Sequence, residues 1–222
     1  MEHVILIHGF GSHGLTMSLM RTYIMRYSNY NVICPTYQSL FFSSIEMIGA
    51  NVIEQINRCV KSGDTIHFIG HSLGGIIAKF ICHSILLAKG IKIGHIVTLG
   101  TPHNGTLLAT RVLKKFPILK YISPIVPQLT KDSYAIRNIK HPEAKIGVIV
   151  GTKNSHVFNP VVYLGSLFLK DIKSHDGVVE MESNLITKAT SLIMLHVNHV
   201  EMLWNTELFY HSLNFIKHGV FY

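Results

Sequence analysis

The chain has 222 residues, 48% of them hydrophobic and only 14% charged, which excludes the charged, aromatic-poor composition of disordered proteins. This length suits one compact domain that buries roughly 70% of the surface its unfolded form would expose. The net charge is +8, but the bases are scattered apart from Lys114 and Lys115, and no zinc-finger or RNA-binding string occurs. We therefore expect no nucleic-acid partner, and a mildly basic surface that suits anionic lipid head groups.

No apolar run approaches the ~20 residues of a membrane helix. Met1 leads straight into a strand-like run without a basic segment, so we expect no secretory signal and a cytoplasmic protein, although a chain trimmed of its signal would look the same. Three widely spaced cysteines without a C-x-x-C pair argue against a disulfide framework or a zinc site. We expect neither a metal nor another cofactor.

Short strand-like runs alternate with helical patterns along the whole chain. All six runs are apolar on both faces, as in a parallel sheet covered by helices on both sides, so the fold class is α/β. The predicted strands are residues 3–7, 31–34, 65–69, 95–99, 145–150 and 192–197.

Three helices have clear boundary signals. One is predicted over residues 43–60, where Ser43 and Glu46 form a capping-box pattern. Two more are predicted over residues 72–89 and 200–217, with Gly90 and Gly219 as their stop signals.

Two connections, after residues 99 and 151, are longer than a crossover in an α/β sheet requires. Both are apolar, and prolines prevent a single long helix in the first. We predict one domain over residues 1–222 with small cap insertions at about 106–140 and 154–172.

The most informative string is an apolar strand that leads into Gly70-His71-Ser72-Leu73-Gly74 and then into a helix. This context is typical of a nucleophile elbow, in which a strained turn exposes the serine hydroxyl at the carboxyl edge of the sheet. Ser72 is therefore the predicted nucleophile.

Acyl transfer needs N–H donors for the oxyanion that forms when the hydroxyl attacks a carbonyl. The predicted donors are the backbone N–H groups of Leu73 and of Phe10, which lies in the loop after the first strand. His8 in the same loop is a rival base, but we expect it to brace the loop by hydrogen bonding.

The serine needs a base, and composition cannot select one among 15 histidines. In α/β-hydrolases the order is serine, acid, histidine, and the histidine follows the last strand, which selects His199. His196 lies within that predicted strand and His211 in the final helix, so both are expected to be packed or surface imidazoles.

Asp176 is the predicted orienting acid because it lies in a turn ahead of a short apolar run. The other carboxylates are expected at positions that do not suit an orienting acid. Asp64 is expected at the wrong end of the sheet, Asp132 in the cap and Asp171 on a solvated surface. The remaining rivals, Glu180 and Glu182, are expected at a solvated helix start.

Together these pieces resemble the bacterial triacylglycerol lipases and related small serine esterases of the α/β-hydrolase fold, over most of the chain. Five segments carry the resemblance: residues 8–11, 70–75, 100–105, 175–179 and 198–202. It implies a triad of Ser72, Asp176 and His199, oxyanion donors at Phe10 and Leu73, and a mostly parallel sheet of about six strands with helices on both faces and a small cap.

The implied activity is that of a serine hydrolase, a lipase or carboxylesterase that cleaves fatty-acyl esters through an acyl-enzyme on Ser72. An acyl thioesterase or acyltransferase with the same triad is the alternative, and a non-catalytic lipid-binding module is a third hypothesis. Glu201 stands where larger secreted relatives have a calcium-ligating aspartate, so we expect no dependence on calcium.

Two cap stretches, residues 116–126 and 161–169, carry more apolar side chains than loops need. We expect them to line an acyl-chain groove, with Ile122 and Ile125 against the substrate, and to rest on an anionic membrane surface near Lys114, Lys115 and Lys120. The alternative is that they pack as additional core.

Overall fold

The computed structural model describes residues 1–84, 87, 90–154 and 159–221. Within these ranges, six strands form one all-parallel sheet in the order β2-β1-β3-β4-β5-β6. The strands are β1 Glu2–Ile7, β2 Asn31–Ile33, β3 Thr65–His71, β4 Lys92–Leu99, β5 Ile146–Gly151 and β6 Ser191–Leu195. The predicted α/β class is confirmed, and the strand boundaries agree with the predicted ones to within about three residues.

The helices lie at α1 Ser18–Tyr27, α2 Ile45–Asn57, α3 Leu73–Ile81, α4 Leu107–Lys115, α5 Leu119–Ile122, α6 Ile125–Gln128, α7 Tyr134–Asn138, α8 Pro160–Phe168, α9 Met181–Asn184 and α10 Thr206–His218. None of the helices formed by the described residues is both long enough and apolar enough to cross a bilayer.

Each face of the sheet has its own core because successive strand side chains point to opposite faces. Ile5 and Ile7 pack with α2 and α3, whereas Val4 and Leu6 pack with α1 and α10. Helices cover both faces of the sheet, so its strands bury side chains on both faces. This is why the sequence shows continuous apolar runs rather than an alternating pattern.

The helix predicted over residues 43–60 is shorter than expected at both ends. Ser44 caps it, with its hydroxyl accepting from the N–H of Met47 at 3.3 Å. The hydroxyl of Ser43 instead donates to the carbonyl of Gln38. The capping-box prediction is therefore wrong by one residue, because two adjacent serines offer equivalent local signals and the turn before them decides between them.

The other two predicted helices also end or begin differently. α3 ends at Ile81 rather than at 89, and residues 85, 86, 88 and 89 of that prediction lie outside the described residues. The final helix is divided: a 3₁₀ turn at Glu201–Leu203 precedes α10, which Asn205 caps. Gly219 ends α10 in the left-handed conformation at φ 73°, as its position after the helix predicts.

The two predicted cap insertions contain α4 to α7 and α8 respectively, except that residues 155–158 lie outside the described part of the chain. Their helices are short, since prolines interrupt the first segment. α4 contacts both α6 and α8, so the two segments pack together over one edge of the sheet.

Candidate active site

Ser72 lies at the turn between β3 and α3 in a strained backbone conformation, with φ 56° and ψ −123°. Its N–H donates to the carbonyl of Leu99 at 2.8 Å, which ties the turn to the neighbouring strand. A Cβ at Gly74 would lie 2.1 Å from the carbonyl oxygen of Ile7, so only glycine permits this close approach of helix and strand. This is the geometry of a nucleophile elbow.

The loop after β1 packs directly against the elbow. A Cβ at Gly9 would lie 3.0 Å from the Cβ of Ser72, and Phe10 and Leu73 line the same cavity as Ser72. His8 is buried and stacks on Tyr37, with ring centroids 3.9 Å apart. Its Nδ1–H donates to the carbonyl of Gly9 at 2.9 Å, so His8 braces the loop, and burial lowers the pKa of its imidazole.

Asp176 and His199 form a buried pair at the same edge of the sheet. His199 Nδ1 lies 2.7 Å from Asp176 Oδ2, and the backbone N–H of His199 donates to the carbonyl of Asp176 at 2.9 Å. Because a carboxylate only accepts, Nδ1 must carry the proton, which leaves Nε2 of the neutral ring with a free lone pair. His199 therefore has the tautomer that a general base requires.

The second oxygen of Asp176 is also satisfied, although the side chain is fully buried. Asp176 Oδ1 accepts from the N–H groups of Val178 and Val179, at 3.0 and 2.8 Å. Gly100, with φ 54°, makes room for the pair, since a Cβ there would lie 2.9 Å from Asp176 Oδ2 and 3.0 Å from His199 Nδ1. Backbone donors thus hold the carboxylate in one orientation.

His71 is a polar residue beside the site that the sequence reasoning did not single out. Its Nε2–H donates to the carbonyl of His199 at 2.9 Å, and the two imidazole rings lie 4.7 Å apart. Burial, and then the neighbouring His199, lower the pKa of His71 to about 3, so it is neutral and acts as a fixed donor. Its position beside the serine was the only available signal.

The rival carboxylates lie elsewhere. Asp64 accepts from the N–H of Lys61 ahead of β3, at the opposite edge of the sheet. Asp171 is exposed and pairs with Arg111 of α4, at 2.7 Å between Nη2 and Oδ2, and Asp132 pairs with Arg137 on the surface.

Glu180 contradicts its predicted place at a solvated helix start, whereas Glu182 is exposed as expected. Glu180 is only 2% exposed. It accepts from the hydroxyl of Thr106 at 3.0 Å and the N–H of Leu107 at 2.8 Å, and it lies 3.2 Å from Lys131 Nζ. These partners are about 50 to 70 residues away in sequence, so no local pattern could reveal the burial.

A cavity of about 600 Å³ opens above Ser72 and His199. Its walls are mainly apolar, and α4 and α8 supply much of them. The apolar lining residues are Phe10, Leu73, Pro102, Leu108, Ala109, Val112, Val126, Leu129, Val161, Leu164, Phe168, Val178, Val179, Val200 and Leu203. A cavity of this size can take a ligand with a substantial apolar portion.

The predicted roles of Ile122 and Ile125 in this groove are wrong. Ile125 is fully buried in the core with α2 and α3, and neither isoleucine lines the cavity. The adjacent Val126 lines it instead. In a helix of four residues, neighbouring side chains point in different directions, and the sequence is too short to show which of them faces the site.

Glu201 already has partners for both carboxylate oxygens. Lys153 Nζ lies 2.6 Å from Oε1, and the N–H of Asn198 donates to Oε2 at 3.0 Å. Burial alone would raise the pKa of Glu201, but these bonds hold it below its usual value. Among the described residues, no three His, Cys, Asp or Glu side chains are grouped as metal ligands.

A family model described as "Putative serine esterase (DUF676)" matches residues 1–145, more than half of the chain. The chain belongs to this family. It is therefore a serine hydrolase of the esterase and lipase class. The matched part includes Ser72 and the loop with Phe10, whereas Asp176 and His199 lie beyond it. No curated protein matches the chain in sequence.

Three solved structures illustrate the fold that the chain shares, at 11% to 17% sequence identity. Bacillus licheniformis lipase BlEst2 in its mature form has a TM-score of 0.71 at 17% identity, over 95% of this chain and 91% of that one. EstA from Clostridium botulinum has a TM-score of 0.67 at 11% identity, over 97% and 87%. The metagenomic carboxyl esterase MGS0156 has a TM-score of 0.64 at 16% identity, over 89% and 64%. These likenesses confirm the α/β-hydrolase fold.

Proposed function

We propose that the protein hydrolyses fatty-acyl esters of the triacylglycerol-lipase type, with Ser72, His199 and Asp176 as its catalytic triad. The observation that carries the proposal is the strained Ser72 turn beside the buried His199–Asp176 pair, both bordering one apolar cavity. A polar reacting centre under an apolar wall suits an ester with a hydrocarbon chain.

In this mechanism Ser72 Oγ attacks the ester carbonyl carbon while His199 Nε2 takes the hydroxyl proton. The N–H groups of Phe10 and Leu73 donate to the oxyanion. His199 then gives the proton to the departing alkoxide, and the acyl group remains on Ser72. A water molecule, deprotonated by His199, attacks the acyl-enzyme and releases the acid and the serine. Asp176 keeps the imidazole tautomer fixed throughout.

The outer face of the cap supports a role at a lipid surface. Several large apolar side chains there are exposed: Phe116, Ile118, Tyr121, Val161, Tyr163, Leu164 and Leu167. Lys114, Lys115 and Lys120 are exposed among them. Apolar side chains interleaved with lysines suit the interface of an anionic membrane, where the substrate would be delivered.

The decisive experiment is labelling with a fluorophosphonate probe, followed by turnover of p-nitrophenyl esters and of matched acyl-thioesters. We expect labelling and ester turnover in the wild type, and neither in Ser72→Ala, which should keep its fold because the hydroxyl contributes little packing. Labelling that persists in Ser72→Ala would refute the assignment. Faster turnover of thioesters, or transfer to added alcohols in preference to water, would favour the thioesterase or acyltransferase alternative.

A further inference from the structure

A second cavity, of about 570 Å³, shares no lining residue with the first. The residues that line it are Lys79, His103, Asn104, Lys131, Ile136, Arg137, Asn138, Lys140 and His141, with Ile139 and Ile186. None of these lining residues, all within the described ranges, is acidic. Its volume falls within the range of small-molecule sites and exceeds what a bare ion needs.

Lys79, in the second turn of α3, is the unusual member of this lining. It is only 3% exposed, and no hydrogen bond or ion pair reaches it from the described part of the chain. Burial lowers the pKa of its ammonium to about 8, so it is still mostly charged at neutral pH. A buried charge without a partner is costly, and a bound anion would remove that cost.

Two histidines that line the same cavity as Lys79 are uncharged. His103 Nε2 lies 3.0 Å from the hydroxyl of Thr98, while its Nδ1 is buried and has no partner among the described residues. His141 Nδ1 is in the same condition. Burial first, and then the charge of Lys79, lower the pKa of both rings, so both imidazoles are neutral and neither adds to the positive charge of the cavity.

The charges that line the cavity do not balance. Lys131 is paired with Glu180 at 3.2 Å, and Arg137 with Asp132 at 2.7 Å. Lys79 and the exposed Lys140 have no acidic partner within the described ranges, which leaves two uncompensated positive charges. A phosphate monoester carries nearly two negative charges at neutral pH and accepts several hydrogen bonds.

We propose that the cavity around Lys79 binds a phosphomonoester dianion, with Lys79 and Lys140 on the phosphate. The group could belong to a soluble metabolite or to the head group of a lipid, and the same contacts serve both. The site is independent of ester hydrolysis, and its test does not use activity.

The test is calorimetric titration of the full chain with inorganic phosphate and with glycerol 3-phosphate, at constant ionic strength set by sodium chloride. We expect both to bind and to raise the melting temperature. Lys79→Met should weaken binding about 10- to 100-fold, because a charge-assisted hydrogen bond is lost from a buried site. It should fold, since methionine replaces the stem and removes the buried charge.

Substitutions at two further lysines, one that lines the cavity and one that does not, complete the test. Lys140→Met, at an exposed position that cannot disturb the core, should weaken binding by about two- to fivefold. Lys92→Met removes the same charge at an exposed position on β4 and should have no effect. Equal weakening by Lys92→Met would overturn the proposal. If neither inorganic phosphate nor glycerol 3-phosphate binds, the proposal stands only if the protein binds a phosphate-bearing lipid through Lys79.

Sedimentation with phosphatidylcholine vesicles, with and without phosphatidic acid, separates the two sources. Lys79-dependent binding to phosphatidic acid without binding of glycerol 3-phosphate supports the proposal and assigns the group to a lipid. Lys79-dependent binding of soluble glycerol 3-phosphate supports it and assigns the group to a metabolite, whereas binding that Lys79→Met leaves unchanged overturns it. Failure of both arms overturns it.

Discussion

At the carboxyl edge of the sheet, Asp176 and His199 are held by backbone donors and by each other, whereas α4 and α8 above them border the cavity with apolar side chains. Hydrogen bonds are directional, so the sheet edge has one productive arrangement. Apolar contacts are non-directional and scale with area, so the cap can change by small steps. We therefore expect substitutions at the edge to cause steep losses of activity and substitutions in the cap to cause graded losses of activity.

The largest effect is expected from His199→Ala. The base would be lost, and kcat should fall on the order of 10⁶, by analogy with serine proteases. His196→Ala is the matched control, because His196 is exposed just after β6 and should leave kcat unchanged. Steady-state turnover of a soluble p-nitrophenyl ester measures both. An equal loss in His196→Ala would show that the base is wrongly chosen.

Asp176→Asn should lower kcat by about 10⁴, since the amide would favour the wrong imidazole tautomer. The rival Asp171→Asn should have little effect on kcat because its partner is Arg111, at the surface of the cap. Asp132→Asn removes another exposed carboxylate and serves as the control for charge. If Asp171→Asn proved the damaging variant, Asp176 would not be the orienting acid.

The contrast between edge and cap also explains how much the sequence could predict. The strands were predictable because burial on both faces makes each run continuously apolar. The position of Ser72 in a turn after β3 was predictable because its glycines and flanking strand are local, and the pairing of His199 with Asp176 because chain order restricts the choice. The structure brings the last two within 2.7 Å of each other, although they are 23 residues apart.

The cap was predictable only as a region. Its helices are too short to establish a period, so Val126 at the cavity and Ile125 in the core could not be distinguished from sequence. The burial of Glu180 depends on partners brought in by tertiary contacts, Thr106 and Lys131. Both errors therefore concern contacts between segments rather than local conformation.

Glu180 links the two regions, because it holds the start of α4 from a position four residues after Asp176. In Glu180→Gln either the hydroxyl of Thr106 or the N–H of Leu107 should lose its acceptor, and the ion pair with Lys131 is lost as well. We expect the free energy of unfolding to fall by about 1–3 kcal/mol. The exposed Glu182→Gln should change it by less than about 0.5 kcal/mol. Urea denaturation compares them, and equal stabilities would show that Glu180 does not anchor the cap.

Leu164→Ser tests the cap wall itself. Leu164 lines the cavity and is 55% exposed, so its loss should weaken acyl-chain binding without unfolding the protein. Each methylene contact with the acyl chain contributes about 0.8 kcal/mol. We therefore expect kcat/KM for a monomeric octanoate ester to fall about five- to thirtyfold. The value of kcat/KM for an acetate ester should not change.

Leu167→Ser is the matched control for this wall, since Leu167 is 51% exposed on the same helix but does not line the cavity. It should leave both esters unaffected in monomeric form. Equal losses for octanoate and acetate in Leu164→Ser would mean that the wall does not bind the chain. Equal losses in the two variants would place the effect at the outer surface.

The smallest expected effect is that of calcium. It concerns Glu201, which follows His199 by two residues. Glu201 uses one carboxylate oxygen for Lys153 and the other for the N–H of Asn198, so a cation would have to displace both. These bonds hold the pKa of the Glu201 carboxyl below its usual value. Glu201 is therefore ionised and paired at every pH at which an ordinary glutamate is ionised. We expect EDTA and added calcium to change neither ester turnover nor the melting temperature. A melting temperature that falls in EDTA and recovers specifically with calcium, in the wild type but not in Glu201→Gln, would show that Lys153 yields its place to the ion.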